Sequence, residues 1–355
     1  MIKQWLLPGT LFLLSLISIL ILRSVAPQLL VKQVLFFMIG AVIFVISSKT
    51  PFQRWHQWSW PIYGIVLLCL GLTQVVATVT RGTRSWVEIG PFHAQPSQLA
   101  IAAGALAIGK LIAYHHHLSL KRYLLLLATL LAPAVLIFLE PDLGTTVIYL
   151  LACGVALLFY QVPIKYLMMT AISGVAIIMI SWLFLLKPYQ KQRLTSFLAT
   201  DAAPRSASYN AVQSMIAVGS GNVTGKGLGQ GTQSQLRFLP ERQTDFVFAS
   251  FAEETGFIGG TIVVACYALI IILCIWGAAQ SRQASAQLFA LITGVMCLAQ
   301  VGVNIGMNIG LVPITGITLP FISYGGSSIL ALCWQLGCFQ GLISELKPQP
   351  KRFIR

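Results

Sequence analysis

Apolar runs long enough to span a bilayer recur along the whole chain, and they decide its fold class before any motif is considered. A helix needs about 20 predominantly apolar residues to cross the hydrocarbon layer. Such runs lie at 8–26, 29–47, 60–79, 97–114, 122–139, 143–160, 165–186, 247–277, 285–309 and 325–344. The run at 247–277 is long enough to tilt, kink or begin as a surface helix. Because the runs continue to the C-terminus, a removable signal peptide does not explain them. Only 9% of the 355 residues are charged and 57% are hydrophobic, with mean hydropathy +0.82. A water-exposed domain carries about a quarter charged residues. The runs lack dyad alternation, which argues against an outer-membrane barrel, and backbone satisfaction in lipid rules out open sheet. The expectation is an all-α polytopic membrane protein with about ten transmembrane helices, one domain over 1–355 and a long extracellular loop at 187–246.

Orientation follows from lysine and arginine in the short loops. Ten spans put both termini on one side, together with Lys3, Lys49, Arg54, Lys110, Lys121, Arg122, Lys165, Arg282, Lys347, Lys351, Arg352 and Arg355. The short loops opposite hold Arg23, Lys32, Arg81 and Arg84. Both termini are therefore expected in the cytoplasm. The basic 187–246 loop is near the length at which loops translocate regardless of charge, and is assigned outside. Membrane anchoring and this loop account for the net charge of +14 without a nucleic-acid partner. The seven cysteines all fall in apolar spans without metal or redox spacing, as buried small hydrophobes do. His115, His116 and His117 sit beside Lys121 and Arg122 and read as a solvated basic loop rather than a metal tract.

Polar chemistry is confined to external breaks in the apolar pattern. RGTRSWVEIGPFHAQPSQ (81–98) is too rich in glycine and proline for a helix and is expected to be a re-entrant or interfacial loop. Its Trp86 suits an interface anchor, or a stacking platform for a sugar or headgroup. In EPDLGTT (140–146), Asp142 reads first as a helix N-cap. AVGSGNVTGKGLGQGTQSQ, inside the long loop, is not a P-loop, and its glycines suit either close backbone approach to a ligand or plain flexibility. NIGMNIGLVPITGITLPFISYGGSS (304–328) should be irregular backbone, buried in protein or lining a wet cavity. Asn304 and Asn308 share a helix face there, as cavity lining or as interhelical glue.

Nine acidic residues serve the whole chain, yet Glu241, Asp245, Glu253 and Glu254 crowd into RFLPERQTDFVFASFAEETG. Glu253 and Glu254 should lie about two turns deeper than Asp245, roughly 12 Å at 1.5 Å per residue. Ionisable groups inside a span suggest function by default, with bundle pairing as the plain alternative. Asp245, at the water–lipid boundary beside Arg237 and Arg242, is better placed for chemistry. Its carboxylate can accept a proton from one substrate while the cations hold an anionic leaving group, such as a lipid-linked diphosphate.

GTQSQLRFLPERQTDFVFASFAEETG resembles the long extracellular loop and following helix of the SEDS family (shape, elongation, division, sporulation). The family's R-x-W…QPSE stretch, QPDLGT turn and closing LPFISYGGSS signature follow the same order here. The FLPER and NIGM wording is closer to the elongation branch than to the division branch. The resemblance implies a peptidoglycan glycosyltransferase that polymerises lipid II on the outer face of the cytoplasmic membrane. Asp245 matches the family's essential aspartate and Trp86 its essential tryptophan. Asp245 would be general base in an inverting transfer that expels undecaprenyl diphosphate. Candidate substrate-binding residues are Trp86, Arg81, Arg193, Lys226, Glu241 and Arg242, and candidate cavity or structural polar residues are Asp142, Glu253, Asn304, Asn308 and Ser323. No dedicated metal cage is present in the sequence, although a divalent cation (Mg²⁺ or Mn²⁺) would suit the diphosphate. Implied partners are lipid II, a class B penicillin-binding protein transpeptidase, membrane proteins of the rod complex and membrane lipids.

The chain departs from the family at Gln243, where histidine is usual, and at Gln98 and Ile101, which replace the Glu and Lys of QPSE-x-x-K. Losing both charges at i, i+3 suggests that they normally pair. Two other functions remain to be weighed. A lipid II flippase should carry ionisable residues near the midplane and paired broken helices, neither of which the sequence displays. A non-catalytic scaffold for the transpeptidase would not need Asp245.

Overall fold

The computed structural model describes residues 2–80, 83–89, 92–113, 119–159, 162–186, 190–191 and 205–346. Arg81, Arg193 and the histidines at 115–117 lie outside them. The helices are α1 (Ile2–Val25), α2 (Leu30–Lys49), α3 (Phe52–Gln57), α4 (Ser59–Val76), α5 (Ser97–Ala113), α6 (Leu120–Leu139) and α7 (Leu143–Phe159). They continue as α8 (Ile164–Ile180), α9 (Arg205–Ser220), α10 (Thr232–Gln235), α11 (Val247–Gln280), α12 (Ala284–Asn308) and α13 (Gly326–Glu345). Every apolar run of the sequence falls on a helix. Among the described residues eight helices, one extended by a π-helical turn at Ser181–Leu185, are long and apolar enough to cross a membrane by length and composition, while α5 and α7 are apolar but shorter. The protein is a multi-pass membrane protein.

α12 and α13 carry the most buried of the long apolar faces, and none of the described α8 side chains is buried, so α8 is peripheral. In lipid, helices associate through close packing of small residues rather than through hydrophobic exclusion. The α2–α13 contact is of that kind. A Cβ at Gly337 would stand 2.9 Å from the Phe44 carbonyl oxygen, closer than real Cβ contacts allow. Six of the seven cysteines are buried and Cys69 is partly so, none in a disulfide, which agrees with their reading as small hydrophobes.

Two features differ from the sequence-based expectation. The 81–98 stretch is not plain loop: β1 (Thr78–Thr80), β2 (Thr83–Ile89) and β3 (Phe92–Ala94) form a three-stranded antiparallel sheet, with Trp86 opposite Thr78 and Val87 opposite Ala94. The ban on open sheet applies to lipid-exposed backbone, and this sheet lies between two apolar helices, in the segment assigned outside. Secondly, a broken helix does occur. α11 is interrupted at Gly256, with φ 69° and ψ −165°.

The break explains the glycine-rich loop. Lys226 and Gly227 donate their N–H groups to the Glu253 and Glu254 carbonyls at 3.0 Å, and Phe257 and Ile258 donate theirs to Asn222 and Val223 at 2.8 and 3.2 Å. Loop backbone thus satisfies the groups that the break orphans, as it must inside a span. A Cβ at Gly225 would stand 2.1 Å from the Glu254 carbonyl oxygen, so no other residue fits. The close approach foreseen for these glycines is to the protein's own helix.

Candidate functional site

The segment from Glu241 to Phe246 leads into α11, and its main chain is fixed from several sides. Leu239 inserts into a small apolar cluster with Ala217, Phe246 and Ala249. Arg237 and Glu241 flank that plug at φ 61° and 53°, a left-handed conformation that costs non-glycine residues energy. The carbonyls that follow are captured in turn. Ser250 Oγ donates to Arg242 O at 3.4 Å, Tyr324 N to Gln243 O at 2.8 Å, and Ser323 Oγ to Thr244 O at 2.6 Å. Asn304 Nδ2 and Asn308 Nδ2 each donate to Asp245 O at 3.1 Å.

The donors themselves are tied down. Ser323 Oγ accepts from Leu319 N at 2.8 Å, and Gln33 Nε2 donates to Ser323 O at 3.2 Å. The irregular 309–325 segment is exposed at Ile309, Leu311 and Gly316 but buries Leu319, Phe321, Ile322 and Ser323, so its second half is packed in protein, one of the two placements expected of it. It also passes beside the carboxylate: Gly316, at φ 76°, would place a Cβ 3.6 Å from Asp245 Oδ2. Asp245 is half-buried, at the junction of the loop and α11.

The structure separates the remaining acids of the stretch. Glu253 is fully buried, and its carboxylate accepts from Lys226 Nζ at 2.8 Å, Gln233 N at 2.9 Å, and Ser234 N and Oγ at 3.1 and 2.9 Å, with Thr232 Oγ1 at 3.1 Å. Lys226, a candidate substrate ligand, therefore has an internal partner. Glu254 is also buried, and accepts from Ser24 Oγ at 2.5 Å and Gln235 Nε2 at 3.3 Å, tying α1 to the loop. Glu241 accepts from Thr244 Oγ1 at 3.0 Å. Arg242 Nε donates to Val25 O at 2.9 Å. Burial and the nearby Arg237 lower the Arg242 pKa, and two neighbouring cations at a rim attract an anion.

Asp142 caps α7 as the sequence suggests. Its Oδ1 accepts from Thr145 N at 2.9 Å and its Oδ2 from Thr145 Oγ1 at 2.8 Å. Oδ2 also takes Gln95 Nε2 at 3.1 Å, and Gln98 Nε2 donates to Gln95 Oε1 at 3.2 Å, while Ile101 is buried. Trp86 is half-buried in β2. Sequence reasoning passed over Glu140, which is fully buried, accepts Thr73 Oγ1 at 2.5 Å and leaves Oε2 without a hydrogen-bond partner. Burial is the main cause that raises its pKa to about 7, with Asp142 adding to the rise. The visible signal was an acid where the family carries glutamine. Among the described residues no group of three or more His, Cys, Asp or Glu side chains could hold a metal ion.

Residues 2–347 match the family model described as the cell cycle protein FtsW/RodA/SpoVE. The chain is 34% identical over 311 residues to the peptidoglycan glycosyltransferase MrdB of Escherichia coli K12, covering 87% of this chain and 84% of MrdB. It is 33% identical over 315 residues to stage V sporulation protein E of Bacillus subtilis, covering 86% and 84%. Among solved structures, a chain from a peptidoglycan synthase complex that coordinates polymerization and crosslinking superposes with TM-score 0.82 at 27% identity, covering 97% of this chain and 98% of that one. The rod shape determining protein RodA of Thermus thermophilus superposes with TM-score 0.73 at 26% identity over the same shares.

Proposed function

The chain belongs to the FtsW/RodA/SpoVE family and is a peptidoglycan glycosyltransferase, and we propose that Asp245 is the general base with which it polymerises lipid II. The observation that carries this reading is the fixation of the backbone of residues 242–245 by donors from α11, α12 and the 319–324 segment, around a half-buried carboxylate. A base delivers rate only when its reach to the substrate proton is set in advance. The Asp245 carboxylate takes the proton of the acceptor's GlcNAc 4-hydroxyl. That oxygen bonds to the anomeric carbon of the donor's MurNAc, the bond to the diphosphate breaks, and undecaprenyl diphosphate leaves with inversion. Arg242 and Arg237 supply positive charge at the rim for the diphosphate, and Trp86 offers an aromatic face. A divalent cation arriving with the phosphates would supply further positive charge to the leaving diphosphate.

The reaction takes place at the outer face of the cytoplasmic membrane, with both termini inside, and serves cell elongation alongside a class B penicillin-binding protein and the rod complex. The break in α11 does not favour a flippase, since loop backbone fills it. Purified protein with its transpeptidase partner and labelled lipid II tests the proposal. Wild type should yield glycan polymer, and Asp245→Asn should lose about 10²- to 10⁴-fold in rate. Polymer from the variant at the wild-type rate would remove Asp245 from this role, and lipid II crossing the bilayer with no polymer would favour transport.

A further inference from the structure

An α-helix that began one residue earlier would join the Ala249 N–H to the Asp245 carbonyl, its i−4 partner. The protein does not make that bond. Ala249 N donates to Asn308 Oδ1 at 3.1 Å, while Asn308 Nδ2 donates to Asp245 O at 3.1 Å. The next rung, Ser250 N to Phe246 O at 3.1 Å, is an ordinary helical one. The Asn308 amide therefore splits a helical hydrogen bond and takes both halves, which a primary amide can do because it carries donor and acceptor together.

We infer that Asn308, seconded by Asn304, is the positioning residue of Asp245, holding it one step outside α11. This rests on the reading of Asp245 as the base. Both asparagines are fully buried, so neither touches substrate. Asn304 adds a second donor to Asp245 O and ties it to Ile317 O at 2.7 Å, beside the Gly316 that faces the carboxylate. Ser214 Oγ of α9 donates to Asn308 O at 3.0 Å and to Oδ1 at 3.2 Å, so the external helix braces the same amide. Without Asn308, the Ala249 N–H and Asp245 carbonyl can close the helical bond directly. Asp245 would then join the helix and its carboxylate would swing away from the position the loop gives it.

The test is steady-state polymerisation of labelled lipid II by the full chain with its transpeptidase partner, with unfolding temperature measured on each preparation. Asn308→Ala should lower kcat about 10²-fold, the cost of misplacing a catalytic group by about 1 Å, with KM within about twofold of wild type. Asn308→Asp keeps an acceptor for the Ala249 N–H and the Ser214 hydroxyl, and loses the donor to Asp245 O. It should fail as Asn308→Ala does, whereas a role confined to holding α11 would leave it at wild-type kcat. Asn304→Ala should lose about tenfold, and it decides the matter should Asn308→Ala not fold. Wild-type kcat in folded Asn308→Asp, or in Asn304→Ala if neither Asn308 variant folds, overturns the inference. Asp245→Asn in the same series separates the two claims. If it is inactive while the asparagine variants are fully active, only the positioning role falls; if it polymerises normally, both fall.

Discussion

Asp245 and Glu253 stand eight residues apart and differ in burial and in the partners that hold them. The protein binds Glu253 through its carboxylate, which is buried and surrounded by donors from Lys226, Thr232, Gln233 and Ser234. It fixes Asp245 through its main chain, with two asparagine amides on the carbonyl, and leaves the residue half-buried at the loop–helix junction. An acid whose side-chain oxygens are saturated is part of the scaffold, because taking up a proton would cost it several bonds at once. An acid whose backbone is immobilised while the residue stays partly exposed is placed to react.

Substitutions can break this contrast. The largest effect belongs to Asp245→Asn, which should slow polymerisation about 10²- to 10⁴-fold without destabilising the fold. Glu253→Ala should do the reverse first. It strands Lys226 and the amides of Gln233 and Ser234, costing about 2–4 kcal/mol, and lowers the unfolding temperature in detergent. Lys226→Met should cost less, about 1 kcal/mol, because the remaining donors still satisfy Glu253. Equal losses from the two would mean that the ion pair, not the ring of donors, holds the clasp.

Glu140 sharpens the comparison, since it is buried like Glu253 but has an oxygen without a partner. Its pKa is raised from 4.5 to about 7. The stability of the protonated form is complete below pH 4.5 and is lost as pH rises through 7, on the order of 3 kcal/mol at most. Glu140→Gln should remove that slope and unfold at a higher temperature than wild type at pH 8, with little difference at pH 4.5. Parallel pH profiles for the two proteins would contradict the assignment. The smallest effect concerns Gln98, which reaches Asp142 through Gln95. Gln98→Glu alone adds a like charge there and should complement a depleted strain worse than Gln98→Glu with Ile101→Lys. Equal complementation by both would show that the two positions are not coupled.

What the sequence disclosed was local. Apolar runs marked every spanning helix but not α9, a 16-residue helix inside the stretch read as a loop, a Pro-Asp pair marked the α7 cap, and a carboxylate at the edge of a span marked Asp245. Long-range partners were not legible. The i, i+4 spacing of Asn304 and Asn308 was visible, but their common acceptor lies 59 and 63 residues away. Lys226 looked available for substrate because Glu253, its partner, is 27 residues further on. The loop glycines signalled close backbone approach without saying to what, and the break at Gly256 that they fill shows only once loop and helix are packed together. The sheet around Trp86 escaped notice because two of its strands are three residues long.

The most direct measurement takes one preparation of Asp245→Asn and one of wild type, each with the transpeptidase partner, and records unfolding temperature and lipid II polymerisation on both. The expected result is an unchanged unfolding temperature with polymerisation lost. Polymer formed at the wild-type rate, or activity lost only in step with stability, would contradict the assignment of Asp245 as the reacting acid.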